Sequence, residues 1–158
     1  MKINAAAHKI TRNNTDVLRD LQEILDEIIR KMSDNNSKIK SGSEQVFQEM
    51  IDSSLYGVDI CSSSLMKHKS KVKLSVKQEA QRLNSLMNLV MKYGLGDNGV
   101  PHSVVDYAVD KLANPAAEVR NESITLLATC ANLDEKAVYG HLEGKKPTFL
   151  QQVEARQK

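Results

Sequence analysis

One phrase is written three times along this chain: Ile39-Lys40-x-x-Ser43-x-x-Val46, Val76-Lys77-x-x-Ala80-x-x-Leu83 and Val119-Arg120-x-x-Ser123-x-x-Leu126. Each copy has an apolar residue, a base, a small residue three further on, and an apolar residue three beyond that. The copies recur at an interval of roughly 40 residues, the period of stacked helical hairpins. On a helix, positions i, i+4 and i+7 share one face, so the apolar and small residues are expected to pack inward. Ser43, Ala80 and Ser123 would let a neighbouring helix approach closely. Lys40, Lys77 and Arg120 would stand near the start of the second helix of each hairpin, where a cation opposes the helix dipole. That choice points either to an acidic partner or to a plain property of the repeat.

The 158 residues fit one domain and can bury a core. Aromatic residues make up 4% of the chain and Trp is absent, so the core must come from Leu, Ile, Val, Met and Ala, a mixture suited to helices. With 22 basic and 20 acidic residues, net charge alone does not indicate nucleic-acid binding, and any basic surface must be local. Cys61 and Cys130 lie in apolar helical patterns and read as buried small hydrophobes. Ala5 to Ala7 is too short a run for a signal peptide. No stretch of the sequence reads as a membrane span, and a reducing, cytoplasmic setting is the default expectation.

Residues 1–14 lack a sustained period and are expected to form a flexible leader. Val17, Leu21, Ile24/Leu25, Ile28 and Met32 then step as an amphipathic helix to about Ser33, with Asp26/Arg30 and Glu27/Lys31 as i, i+4 pairs. A second helix from Ser37 or Lys38 runs to Ser53-Ser54. A third spans Leu55 to Met66, weakened by Gly57 and the Ser62–Ser64 triplet. A fourth runs from about Ser75 to Gly94. Pro101 stands near the first turn of a fifth, which Asn114-Pro115 stops, and a sixth runs from Ala117 through Cys130. A short helix with Val138 and Leu142, and a last one from Pro147 or Thr148, would close the apolar end of the stack. The expected divisions are hairpins at about 15–54, 55–96 and 100–132 and a cap at 134–157.

The sequence carries no catalytic or metal-binding pattern. His8, His68, His102 and His141 lack His-x-x-x-His spacing, and no Cys-x-x-Cys accompanies them. Gly94-x-Gly96-x-x-Gly99 matches a dinucleotide fingerprint only nominally, because a helix precedes it where a strand is needed. No enzyme, metal or cofactor is therefore expected. The sharpest charge feature is Lys67-His68-Lys69-Ser70-Lys71-Val72-Lys73. In isolation it reads first as a mobile, solvated connection with no partner. Its place between the helices of the middle hairpin sets it on the same edge as Asp34–Lys38 and Asn114–Glu118, so that the three loops would form a discontinuous strip facing an acidic surface.

At Asp34-Asn-Asn-Ser-Lys-Ile-Lys40, Asn114-Pro-Ala-Ala-Glu-Val-Arg120 and Ala137–Leu150 the chain resembles a TOG domain, the HEAT-repeat module that binds the αβ-tubulin heterodimer. The resemblance implies an all-α HEAT-repeat solenoid of three helical hairpins plus C-terminal capping helices, non-enzymatic, working at microtubules and so in the cytoskeleton, at a centrosome or a cilium. It implies tubulin contacts at Asn35, Asn36, Lys38, Lys40, Lys69, Lys71, Lys73, Lys77, Asn114 and Arg120. Two features depart from the family: a full TOG domain has six repeats, and a Trp usually stands in its first. The rival reading is a HEAT or armadillo scaffold for another protein, or one that oligomerises through Val17 to Met32. Nucleic-acid binding is the weaker expectation, since no aromatic residue interleaves the basic run.

Overall fold

The computed structural model describes residues 14–68, 71–145 and 147–157. The described residues form eight helices: α1 Asn14–Lys31, α2 Ser37–Asp52, α3 Gly57–Met66, α4 Val76–Tyr93, α5 Ser103–Lys111, α6 Ala117–Leu133, α7 Glu135–Leu142 and α8 Pro147–Arg156. Helix α1 includes Asn14, which the sequence pattern placed in the leader. Outside the helices, the described residues contain a single isolated bridge, Leu95 to Val100. No described helix is long and apolar enough to cross a membrane.

Local chemistry sets the boundaries. Asn36 caps α2, its Oδ1 accepting from the backbone N–H of Lys38 and Ile39. Ser75 and Gln78 form a reciprocal capping box on α4. Asp134 caps α7 through the N–H of Ala137. After α4 the chain turns through Gly94 to Val100, where a Cβ on Gly99 would stand 2.6 Å from the Gly94 carbonyl oxygen, so only glycine fits. The serine triplet lies within α3, which begins at Gly57. Ser62 is buried with its hydroxyl donating to Val58 O, and Ser64 Oγ accepts from Gln22 Nε2 of α1 at 2.8 Å.

Short connections fold α1 on α2, α3 on α4 and α5 on α6, and further contacts join α1 to α3, α4 to α6, α5 to α7 and α6 to α8. One continuous core of aliphatic residues runs through them, from Leu25 and Met32 through Leu83, Leu86 and Val104 to Leu126, Val138 and Val153. Helix α6 is its spine, packed by α4, α5, α7 and α8. Arg82 is the buried charge among the described residues: from α4 its Nη1 donates to the carbonyls of Ser64, Leu65 and Lys67 at 3.0–3.2 Å, satisfying the C-terminus of α3. Burial lowers its pKa, opposed by Tyr107, Asp26 and Glu79.

The repeated phrase is only partly an inward pattern. Its small residues, Ser43, Ala80 and Ser123, are all buried. Its first apolar residue is buried in one copy alone: Val119 is 0% exposed, whereas Ile39 and Val76 are 42% and 43% exposed. In the first copy Phe47 takes the core position in place of Val46. The face of α1 is shifted as well. Leu25, Ile29 and Met32 are buried, while Val17, Leu18 and Ile24 are exposed. Arg30 pairs with Glu27, three residues back, and Asp26 instead accepts from Gln22.

Candidate protein-docking edge

Three loops connect the helices within the hairpins: 32–36, 67–75 and 112–116. Three side-chain contacts fasten the first and third of them to the start of α4. Lys77 Nζ, at the start of α4, donates to Asn35 Oδ1 in the first loop at 2.6 Å. Glu79, one turn of α4 from that loop, accepts from Asn114 Nδ2 at 2.8 Å and pairs with Lys111 Nζ at 3.2 Å. The first ties the first loop to the opening turn of α4, and the others tie that same turn to the third loop and to the end of α5. The first and third loops are thus held together where α4 begins.

The candidate residues have different standings along that edge. Asn36 spends its side chain on the α2 cap, and Asp34 Oδ1 in turn accepts from the Asn36 N–H, so the first loop is a rigid pair of Asx turns. Asn114 is also internally used: its Oδ1 accepts from the Ala116 N–H while its amide reaches Glu79. Arg120 is half-buried, and its Nη1 folds back to donate to the carbonyls of Asn114 and Pro115 at 2.8 and 2.7 Å. These three residues shape the edge more than they project from it. Lys38 and Lys71 are exposed, Lys40 is half-buried, and none of the three forms an ion pair among the described residues. Lys77 is tied to a neutral amide, so its charge is not cancelled. Lys69 lies outside the described residues.

Lys73 is placed differently from Lys71. With Lys67 and His68, Lys73 lines a cleft of about 300 Å³ that Lys71 does not line, and whose other wall is the acidic side of α1, Glu23, Asp26 and Glu27. Part of the basic run therefore faces the protein's own carboxylates. The Glu27 carboxylate is held below its usual pKa by the hydrogen bond from Arg30, against the opposing effect of burial. His68 Nε2 lies 2.5 Å from the Val72 carbonyl oxygen.

Glu79, Lys111 and Arg82 were not singled out by the sequence pattern, yet they lock the edge in place. A charged residue at 82, between Ala80 and Leu83 on the core-facing side of α4, is the one signal that marked any of them in advance. Elsewhere, burial pushes both thiols, Cys61 and Cys130, up to about 12, so each remains neutral and packed. Among the described residues no group of three His, Cys, Asp or Glu side chains is arranged to hold a metal.

These observations define an all-α protein of packed helical hairpins carrying a lysine- and amide-rich loop edge. No family model, no curated protein and no solved structure matches the chain.

Proposed function

We propose that the chain is a non-enzymatic HEAT-type α-solenoid that docks an acidic protein surface through this loop edge, with αβ-tubulin the partner that the TOG resemblance implies. The observation that carries the reading is the pair of tethers, Lys77 to Asn35 and Glu79 to Asn114, which hold the first and third loops at the start of α4. A row of lysines held on a rigid frame attracts an acidic surface at little ordering cost, and such docking weakens with salt. A place in the cytoskeleton, at a centrosome or a cilium, follows from the same resemblance. The test is a titration of labelled protein with αβ-tubulin over a salt series. The reading expects affinity to fall steeply with salt, and to be lost in Lys38→Glu/Lys40→Glu/Lys71→Glu, a variant that spares every tether. Salt-independent binding, or an unchanged affinity in the variant, would remove the edge from the interface.

A second reading is favoured by α1, whose Val17, Leu18 and Ile24 are exposed on one helix. It makes the same fold a scaffold that pairs with a second copy through α1, an association that tolerates salt. Concentration-dependent sedimentation abolished by Leu18→Glu would support it, and a monomer at every concentration would dismiss it.

A further inference from the structure

Asn98 is the one asparagine of the chain that is followed by glycine. In such a pair the backbone nitrogen of the glycine can attack the asparagine side chain, because no Cβ obstructs the closing ring. Whether it does so depends on how the fold holds that nitrogen.

Here it is held closely. Helix α4 ends at Tyr93, whose hydroxyl donates to Asp52 and accepts from Gln48 Nε2 of α2, both at 2.8 Å. Beyond this α2–α4 bridge the chain turns back at once. Gly96 N–H donates to Val100 O, Val100 N–H to Gly94 O and Gly99 N–H to Gly96 O, each at 2.9 Å. Gly99 is buried, and the point where its Cβ would stand lies 2.6 and 2.7 Å from the carbonyl oxygens of Gly94 and Tyr93. Val100 beside it is 0% exposed. Asn98, by contrast, is exposed, with a positive φ of 65°, a conformation that asparagine adopts more readily than most residues.

The turn thus presents the electrophile to water and withholds the nucleophile. Attack requires the Gly99 nitrogen to give up its proton. That proton is engaged by Gly96 O, and the carbonyl oxygens crowding Gly99 oppose a negative charge on its nitrogen. Opening of the turn removes both restraints together, and a local opening costs less than global unfolding.

We propose that Asn98–Gly99 is a self-modification site gated by this turn, closing to a succinimide when the turn opens. The Gly99 nitrogen, its proton taken by hydroxide, bonds to Asn98 Cγ. The carboxamide C–N bond breaks, and the leaving group takes a proton from water and departs as ammonia, which restores the hydroxide. Water then adds to either ring carbonyl, and the bond from that carbonyl to nitrogen breaks. Opening at Cγ leaves aspartate; opening at the main-chain carbonyl leaves isoaspartate, whose backbone runs through Cβ and Cγ. The isoaspartate backbone is longer by one atom, so Gly99 N–H no longer meets Gly96 O in register with the Leu95–Val100 bridge. Either product also sets a second carboxylate beside Asp97. An opening of the turn is thereby recorded covalently, and the isoaspartate form is kept from closing.

The experiment follows the intact chain at mildly alkaline pH by peptide mapping and mass spectrometry, in native buffer and in urea above the unfolding midpoint. Electron-transfer fragmentation locates isoaspartate. Conversion at Asn98 should be at least tenfold faster in urea, and there it should outpace every other asparagine. Val100→Ala should speed native conversion at least threefold and leave the urea rate unchanged, because the turn opens more often while the chemistry of the open chain is the same. Leu95→Ala, at the partly exposed partner of the bridge, should act in the same direction and serves where Val100→Ala does not fold. Asn98→Gln should abolish the reaction. The isoaspartate form, separated by ion exchange, should show faster hydrogen exchange at the Val100 amide than the unmodified chain. Equal rates in native buffer and urea, or a native rate that neither turn variant raises, would overturn the proposal.

Discussion

The two ends of the helical stack are covered to different degrees. At the α7–α8 end Val138, Leu142 and Val153 are buried, and the chain is locked by Gln157, which donates to Ala131 O and Glu135 and accepts from the Tyr139 hydroxyl. Arg156 adds a bond to Asn121 O at 3.0 Å. Two His–Asp contacts, His141 to Asp106 and His102 to Asp134, join α5 to α7. At the α1 end, by contrast, Leu18 is 67% exposed, and the first turns of the helix meet little of the fold. An amphipathic helix buries as many sides as it has neighbours. Helix α6, with four, is buried in almost every apolar position, while among the described residues α1 packs mainly on α2 and α3.

This contrast can be broken most strongly at the covered end. Leu142→Ala should cost about 3 kcal/mol, a large-to-small change in a packed site, whereas Leu18→Ala should stay within about 0.5 kcal/mol, as exposed substitutions do. Urea unfolding of the two variants measures the difference, and equal costs would mean that the ends are equally covered. Next in size is Arg82→Met, which removes the donor to three carbonyls at the end of α3. It should cost roughly 2 kcal/mol in the same assay, since hydrogen bonds from a charged donor contribute about 1.5–3 kcal/mol, and Arg82→Lys should recover part of it. No change would show that water satisfies those carbonyls equally well.

The smallest effect lies at the α2–α4 bridge. The Tyr93 hydroxyl, followed by the Gln48 amide, holds the Asp52 carboxyl below its usual pKa. A carboxylate depressed in the folded state adds stability above its unfolded pKa and loses it as pH falls through the folded value. Tyr93→Phe should therefore be slightly less stable than the unmodified protein at neutral pH, and the two should converge as pH drops below the ordinary aspartate range. A difference that persists undiminished in acid would assign it to packing instead.

Much of this architecture was legible in the sequence, because caps and breakers are local chemistry. Asn36, Ser75 with Gln78, Gly94 and Pro147 stand where their residue types predict a start or a stop. The three small residues of the repeated phrase were rightly expected inside. The same phrase could not announce that Val119 is buried and Ile39 is not, since that depends on how many helices surround α6 and α2. Likewise, the bases at 40, 77 and 120 look equivalent in sequence. In three dimensions Lys77 reaches across to another hairpin, Arg120 closes onto its own loop, and Lys40 does neither. Which of these happens is set by the carbonyl or amide that the fold brings within reach.

The most direct measurement is analytical ultracentrifugation of the chain with αβ-tubulin at low and physiological salt, alongside Lys38→Glu/Lys40→Glu/Lys71→Glu. A tethered cationic edge predicts a faster-sedimenting complex that weakens with salt and vanishes in the triple variant. No complex at low salt, or one that the triple variant forms equally well, would contradict it.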